Sequence, residues 1–402
     1  MVERRTWSGN FLLQDQEASL FGFEMNNLYR HSYASLLRMW NTPVALIRPG
    51  AARHLLKLGA RIYLCALRRD QYCKLSRRRA LPAWVVSIGN ITAGGTGKTP
   101  FTMWLSDFLR ARGYPHAILS RGYGRYGKSA RRVPAEGETR RLVRKMGDEP
   151  VLLARRSPAV PVWVGPERWI TGKAALDESK AKLLVLDDGF QHLQLVRNLD
   201  IILLDALNPF GNASLIPLGP LREPIEHLRR ADAVILTRAD CLAQTHEIRA
   251  HLDELLPGKP VFSCRHKMAG FGVGLEGCTI PVSEVAGKSV VAFAGLANNQ
   301  SFFESLGNAD IHVAAQVAYP DHHLYTHKDA ACLLELFRSR NAQYLVTTAK
   351  DAVRLPTGIQ SVILTSHIQL DFGEELEDLI RFLEERLPHP PALPISSVAS
   401  ED

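Results

Sequence analysis

WVVSIGNITAGGTGKTP, residues 84–100, is an apolar run, then a glycine-rich turn, then the start of a helical pattern. A phosphate-binding loop requires that order. Glycines let successive backbone N–H groups converge on phosphate oxygens, and the helix that follows points its positive end at them. Gly94, Gly95, Thr96 and Gly97 would form the cradle. Lys98 would reach the β- and γ-phosphates of a nucleotide, and the Thr99 hydroxyl would help hold Mg²⁺. An ordinary strand-to-helix turn is the bland alternative, and the Gly97-Lys98-Thr99 ending disfavours it.

Outward from the loop, compact apolar runs alternate with amphipathic stretches. TPFTMWLSDFLRARG, closed by Gly113, reads as a helix, while HAILSRGY, AKLLVLDDG, LDIILLDA and ADAVILTRAD read as strands. Short apolar runs separated by helical segments predict a mostly parallel sheet covered on both faces. The fold class is therefore α/β, with a P-loop NTPase-like domain over residues 81–262. A smaller α/β domain is expected over 289–386, from SVVAFAGLA, HVAAQVAYPDH, a helix beginning at His327, and QYLVTTAKD. Residues 263–288, Gly-rich and without helical period, read as the linker. The Pro- and Ser-rich residues 387–402 read as a disordered tail, and residues 1–42 as an N-terminal extension without periodicity.

Residues 43–80 have a different character. Leu46, Leu55, Leu58, Ile62, Leu64 and Leu67 are interleaved with Arg48, Arg53, Lys57, Arg61, Arg68, Arg69 and Arg77, with Asp70 the lone acid. That pattern predicts an amphipathic N-terminal helix with a basic face, suited to lie on an anionic membrane surface. The alternative is a basic helix packed on the protein's own core. The whole chain, 402 residues at formal charge +8, favours anionic partners of some kind. Nucleic acid is not expected, because no basic strand face interleaved with aromatics is present. Six scattered cysteines without a C-x-x-C pair argue against a zinc site or disulfide framework. With no secretory signal pattern and no long apolar run, a cytoplasmic protein without a transmembrane span is expected.

Two acids end the apolar run of LLVLDDGFQH, at the edge where parallel sheets bind ligands. Asp187 and Asp188 are the candidate Mg²⁺ carboxylates, with Asp187 in the Walker-B position; capping the next helix is the structural alternative. Transfer to a hydroxyl also needs a group to receive its proton. Asp148 in GDEP and His322 in PDHH suit that chemistry; the alternatives are a helix cap for Asp148 and a loop histidine without a role for His322, which has His323 beside it. SRGYGRYGKSARR brings Arg121 and Arg125 into a loop after a strand, where guanidinium forks suit phosphate oxygens. A solvated basic surface is the other account of this loop, and the better one for Arg131 and Arg132.

The loop departs from strict G-x-x-x-x-G-K-[ST] spacing, because Thr92 occupies the first glycine position. Ala93 stands where the partition-type ATPases carry a signature lysine, which removes that reading. Taken in order, however, GNITAGGTGKTP, LSRGYGR at 119–125, GDEP at 147–150, DDGFQH at 187–192, PLGPLREP at 217–224, AFAGLANNQSF at 292–302, PDHH at 320–323 and TTAKDAVRL at 347–355 resemble the tetraacyldisaccharide 4′-kinase (lipid A 4′-kinase) family. The resemblance runs from about residue 45 to about 370. It implies two α/β domains joined by a β linker, a membrane-associating N-terminal helix, and ATP with Mg²⁺ as donor. It implies a phosphorylated acylated disaccharide lipid as acceptor, and an enzyme peripheral to the cytoplasmic face of the inner membrane. It further implies that Asp148 and His322 act as a catalytic pair; Arg222 and Glu223, the matched polar residues of PLREP, are expected to order the acceptor.

The rival reading is a P-loop GTPase or metallochaperone-like regulator. LTRAD at 236–240 and TTAKD at 347–351 imitate a guanine-reading N/T-K-x-D motif, the first with Arg238 in place of lysine. Competition between ATP and GTP separates the two.

Overall fold

The computed structural model describes residues 39–42, 50–127, 129–275, 277 and 279–389. Most of the N-terminal extension, residues 43–49 and the Pro-rich tail beyond residue 389 lie outside the described residues. The helix α1, Ala51–Ser76, precedes a sheet of twelve strands. These are β1 Trp84–Gly89, β2 His116–Ser120, β3 Arg131–Arg132, β4 Val162–Val164, β5 Leu183–Asp187, β6 Leu199–Asp205, β7 Ala233–Thr237, β8 Val261–Val273, β9 Ser289–Ala294, β10 His312–Ala318, β11 Tyr344–Thr348 and β12 Ile363–Asp371. Their order across the sheet is β10-β9-β11-β12-β8-β7-β6-β1-β5-β2-β4-β3. Pairing is parallel except between β3 and β4 and between β8 and β12.

The apolar runs became the central strands because both faces of the sheet are covered. Val86, Ile88, Val185, Ile201 and Ile235 face one buried layer with Phe101 and Leu105 of α2, Lys98–Ala111. Ile202, Leu204, Val234 and Leu236 face the other, with Phe190 and Leu228. Burying each such side chain contributes about 1.5–3 kcal/mol, so the continuous apolar runs hold the sheet without any alternation of polar residues.

The stretch expected as linker is in part strand. β8 pairs in parallel with β7 over Val261–Cys264, then leaves that partner and runs antiparallel to β12 from Arg265 to Val273. One strand thus carries the sheet from the phosphate-loop half into the second half, around a core of Phe271, Val290, Ala292, Phe302 and Val346.

Strand order places the site. β1 lies between β5 and β6, with Ile88 in register with Asp187, so the loop after β1 and the carboxylates ending β5 emerge side by side. α3, Thr139–Met146, and α4, Asp148–Arg156, join β3 to β4, and α5, Arg168–Glu178, follows β4. One face of α1 is tied to the segment before β7: Tyr63 Oη donates to Arg222 O at 2.8 Å and Gln71 Nε2 to Glu223 Oε2 at 2.7 Å.

Candidate active site

The phosphate loop is shaped by its neighbours. Thr92, in place of the usual first glycine, is buried and bridges to Leu221, and Ala93 N–H donates to Pro220 O at 2.7 Å. These contacts anchor the start of the loop to Pro220 and Leu221. Gly97 has φ +79°, and a Cβ there would lie 3.1 Å from His266 Nε2 and 3.2 Å from Thr237 Cγ2. Only glycine suits that position. Thr237 Oγ1 donates to Thr96 O at 3.2 Å, clamping the loop to the end of β7. α2 then starts at Lys98, with Pro100 in its first turn where no N–H is required, so the helix opens towards the site.

The carboxylates have distinct environments. Asp188, at φ +54°, lies 3.7 Å from Lys98 Nζ and accepts from Arg222 Nη1 at 3.1 and 3.3 Å. Burial alone would raise its pKa, but Lys98 and Arg222 outweigh it and hold the carboxyl down at about 2. Asp187 is buried and accepts from Thr102 Oγ1 and Ser120 Oγ, each at 3.3 Å. Burial, then the charges of Glu149 and Asp188, push its pKa up. Burial and the neighbouring carboxylates thus outweigh Lys98 and Arg168 at Asp187, which is the condition a bound cation relieves. Below it lies Arg168, itself buried, donating to Gly165 O at 2.5 Å and Asp187 O at 3.4 Å. Burial lowers its pKa to about 10, which leaves it charged at neutral pH. His192, kept neutral by burial and by Arg168, accepts from the Arg168 N–H at 3.2 Å.

Asp148 opens α4 directly after Gly147, whose φ of +93° lets the chain pass against Gly122 and the Tyr123 carbonyl. His322, at φ +59°, sits in the loop after β10. The two meet: His322 Nδ1 is 2.8 Å from Asp148 Oδ2. The Asp148 side chain is 8% exposed and that of His322 36%, so the imidazole is the outward member. Burial opposes the Asp148 charge, but the bond and charge of His322, then Arg354 and Lys350, win and hold it at about 2. Gly147, just before Asp148, packs against Gly122, two residues after Ser120, whose Oγ donates to Asp187, so the pair and the carboxylates lie near one another at the sheet edge.

The other candidate residues divide. Arg121 is exposed at the end of β2, near enough for its charge to act on Arg168 and His192. Arg125 is turned into its own loop, donating to Ser129 O at 2.9 Å. Arg222 joins the carboxylates, whereas Glu223 is fully buried and its Oε2 takes Gln71, His227 and Arg230 at 2.7 Å each. His323 is within 3.1 Å of Asp329 Oδ2 and stacks on Tyr319, so it is occupied in packing. In one guanine-like motif the cation, and in the other the acid, is engaged within the fold, while Asp240 of the first is exposed. The Arg238 guanidinium is paired with Asp205, and Asp351 is buried accepting from Gly295 N, Tyr325 Oη and Thr348 Oγ1. Arg168 was not singled out in the sequence, and Lys350 and Arg354 were met only within TTAKDAVRL, without a role at the Asp148–His322 pair.

A family model for tetraacyldisaccharide-1-P 4′-kinase matches residues 52–387. The tetraacyldisaccharide 4′-kinase of Syntrophobacter fumaroxidans is 42% identical over 379 residues, 94% of this chain and 100% of that protein. That of Desulfatibacillum aliphaticivorans is 38% identical over 314 residues, 75% of this chain and 83% of its own. The crystal structure of the "apo" form of LpxK from Aquifex aeolicus in complex with ATP shares the fold with a TM-score of 0.64 at 29% identity, over 82% of this chain and 97% of that one.

Proposed function

This chain belongs to the tetraacyldisaccharide-1-P 4′-kinase family, and from that membership we infer that it transfers the γ-phosphoryl group of ATP to the 4′-hydroxyl of a tetraacyldisaccharide 1-phosphate, a step of lipid A synthesis. The reading is supported most by proximity: Lys98 lies beside Asp188, Asp187 is bonded to Ser120, and the loop two residues after Ser120 packs on Gly147, next to the Asp148–His322 pair.

In the proposed reaction the backbone N–H groups of Gly94–Thr99 and the Lys98 ammonium hold the β- and γ-phosphates. The acceptor oxygen forms its bond to the γ-phosphorus as the bond to the β-phosphate oxygen breaks, and ADP leaves. The hydroxyl proton passes to the Asp148–His322 pair. The His322 charge that holds the carboxyl at about 2 is that of the imidazolium, so the pair takes up the proton only from the state in which the imidazole is neutral, and the proton then rests on His322 beside the Asp148 carboxylate. Arg121 is the exposed cation placed to meet an anionic acceptor. Thr99, Asp187 and Asp188 offer the hard oxygen set that suits Mg²⁺, and the excess of negative charge at Asp187 fits a cation. Mg²⁺, when bound, would neutralise charge on the β- and γ-phosphate oxygens.

We place the enzyme on the cytoplasmic face of the inner membrane as a peripheral protein. No helix among the described residues is long and apolar enough to cross a membrane. α1 supports surface binding instead: Leu55, Leu58, Ile62 and Tyr72 are each more than half exposed along one stripe, flanked by the exposed Lys57, Arg61, Arg68 and Arg69.

The test of transfer uses γ-labelled ATP and the lipid acceptor. Label should enter the lipid with the wild-type protein and fail to do so with Lys98→Ala. Label released only as free phosphate would reject the kinase reading.

A further inference from the structure

The string TTAKDAVRL, residues 347–355, takes no part in the steps above, yet its cations reach the catalytic pair. β11 ends at Thr348, whose Oγ1 caps the short helix Ala349–Ala352 by accepting from Asp351 N at 3.2 Å. That turn aims Lys350 and Arg354 at the same place. Lys350 Nζ lies 3.4 Å from Glu149 Oε1 and 3.8 Å from Asp321 Oδ1. Glu149 follows Asp148 in α4, and Asp321 precedes His322 in the loop after β10. A single ammonium therefore bridges the chain neighbours of both members of the pair.

Arg354 makes the support rigid. Its side chain is 1% exposed, and its Nε lies 3.5 Å from Asp148 Oδ2, the oxygen that His322 meets. The guanidinium also donates to Gly295 O at 3.3 Å and His323 O at 3.4 Å, and its Nε donates to the Lys350 carbonyl at 3.0 Å. Arg354 thus fixes the backbone that carries Lys350. Four carboxylates crowd this region, those of Asp148, Glu149, Asp321 and Asp351. Without the ammonium, Glu149 and Asp321 would repel each other across the gap that their neighbours must close.

An exposed ion pair would contribute little. Lys350, however, is only 25% exposed, and although burial works against its charge, the carboxylates of Glu149, Asp321 and Asp148 raise its pKa. It is a fixed cation in a polar network, where loss of one member is felt by the rest.

We propose that Lys350 is a positioning residue for phosphoryl transfer: its ammonium holds Glu149 and Asp321 together so that Asp148 and His322 meet. This rests on reading Asp148 and His322 as the catalytic pair, and the experiment separates the two ideas.

The variants are Lys350→Met, Lys350→Arg, His322→Ala, and Lys350→Met combined with His322→Ala. Each is assayed for lipid phosphorylation, with circular dichroism to confirm folding. A misplacement of the order of 1 Å in a reacting group can cost about 100-fold, so Lys350→Met should lower kcat by roughly that factor while the KM for ATP stays within about two-fold. Lys350→Arg, which keeps the charge, should recover kcat to within about ten-fold of wild type. On a His322→Ala background, Lys350→Met should cost less than about three-fold more, because the group it positions is gone. Unchanged kcat in Lys350→Met, or losses that multiply fully with those of His322→Ala, would overturn the inference while leaving the pair in place. Wild-type kcat in His322→Ala would instead overturn the pair, and the inference with it. Should Lys350→Met not fold, Asp321→Asn removes one arm of the bridge; it should lower kcat about ten-fold with the ATP KM unchanged, and wild-type kcat there overturns the inference as well.

Discussion

Asp148→Asn removes a single charge and keeps the side-chain shape, so its effects can be worked from the surroundings of Asp148. His322 and Arg354 hold the folded carboxyl at about 2, below the ordinary value of 3.8. At 1.36 kcal/mol per pH unit, that depression corresponds to on the order of 2 kcal/mol of stability at neutral pH. Because the side chain is almost wholly buried, screening by water leaves most of this intact. A depressed carboxyl stabilises the fold above its unfolded pKa and loses that effect as the pH falls through its folded one. The stability gap between wild type and Asp148→Asn should therefore narrow as the pH falls from about 4 to about 2. Urea unfolding at a series of pH values measures the gap. In the same protein, kcat for lipid phosphorylation should fall by about 10²–10⁴-fold, the range of general acid–base groups, with ATP affinity unchanged. An asparagine variant as stable as wild type at pH 7, or a gap that persists undiminished into acid, would show that His322 and Arg354 do not hold a charge at residue 148.

Other outcomes follow from neighbouring features. His323→Ala should cost about 1–2 kcal/mol, from its contacts with Asp329 and Tyr319, while kcat stays within a few-fold; a collapse of kcat would exchange the roles of the two histidines. Gly97→Ala places a methyl against His266 and Thr237 at positive φ, so ATP affinity should fall at least about ten-fold by calorimetry; normal affinity would show that the loop can open without cost. Replacing Leu55, Leu58 and Ile62 together by serine should abolish flotation with anionic liposomes and leave the fold intact, since these side chains touch little of the protein; equal flotation would remove α1 from membrane binding.

The parts legible in the sequence are those whose physics is local. β1, β5, β6 and β7 stood out because strands buried on both faces are continuous apolar runs, and the loop after β1 because glycines, Lys98 and Thr99 must be adjacent in the chain. The resemblance implied a β linker here, but the residues alone did not mark β8, because it serves two sheet neighbours in turn and exposes Arg265 and Lys267 midway, which breaks the run. β4 was hidden because it is three residues long. Arg168 and Arg354 were hidden for another reason: each is a buried cation that, besides local carbonyls, reaches a group far along the chain, Asp187 O for Arg168 and Asp148 for Arg354, and such a contact has no local sequence pattern. Glu223 shows the converse, a polar residue in a conspicuous motif whose Oε2 is engaged inside the fold by Gln71, His227 and Arg230.

The central claim is transfer to one hydroxyl of one lipid. Purified protein incubated with ATP, Mg²⁺ and the tetraacyldisaccharide 1-phosphate should yield a lipid heavier by one phosphate. Tandem mass spectrometry should place that phosphate on the distal sugar, with GTP failing to replace ATP at equal concentration. An unchanged lipid mass in the presence of ATP consumption, or a second phosphate found on the sugar that already carries one, would contradict the account.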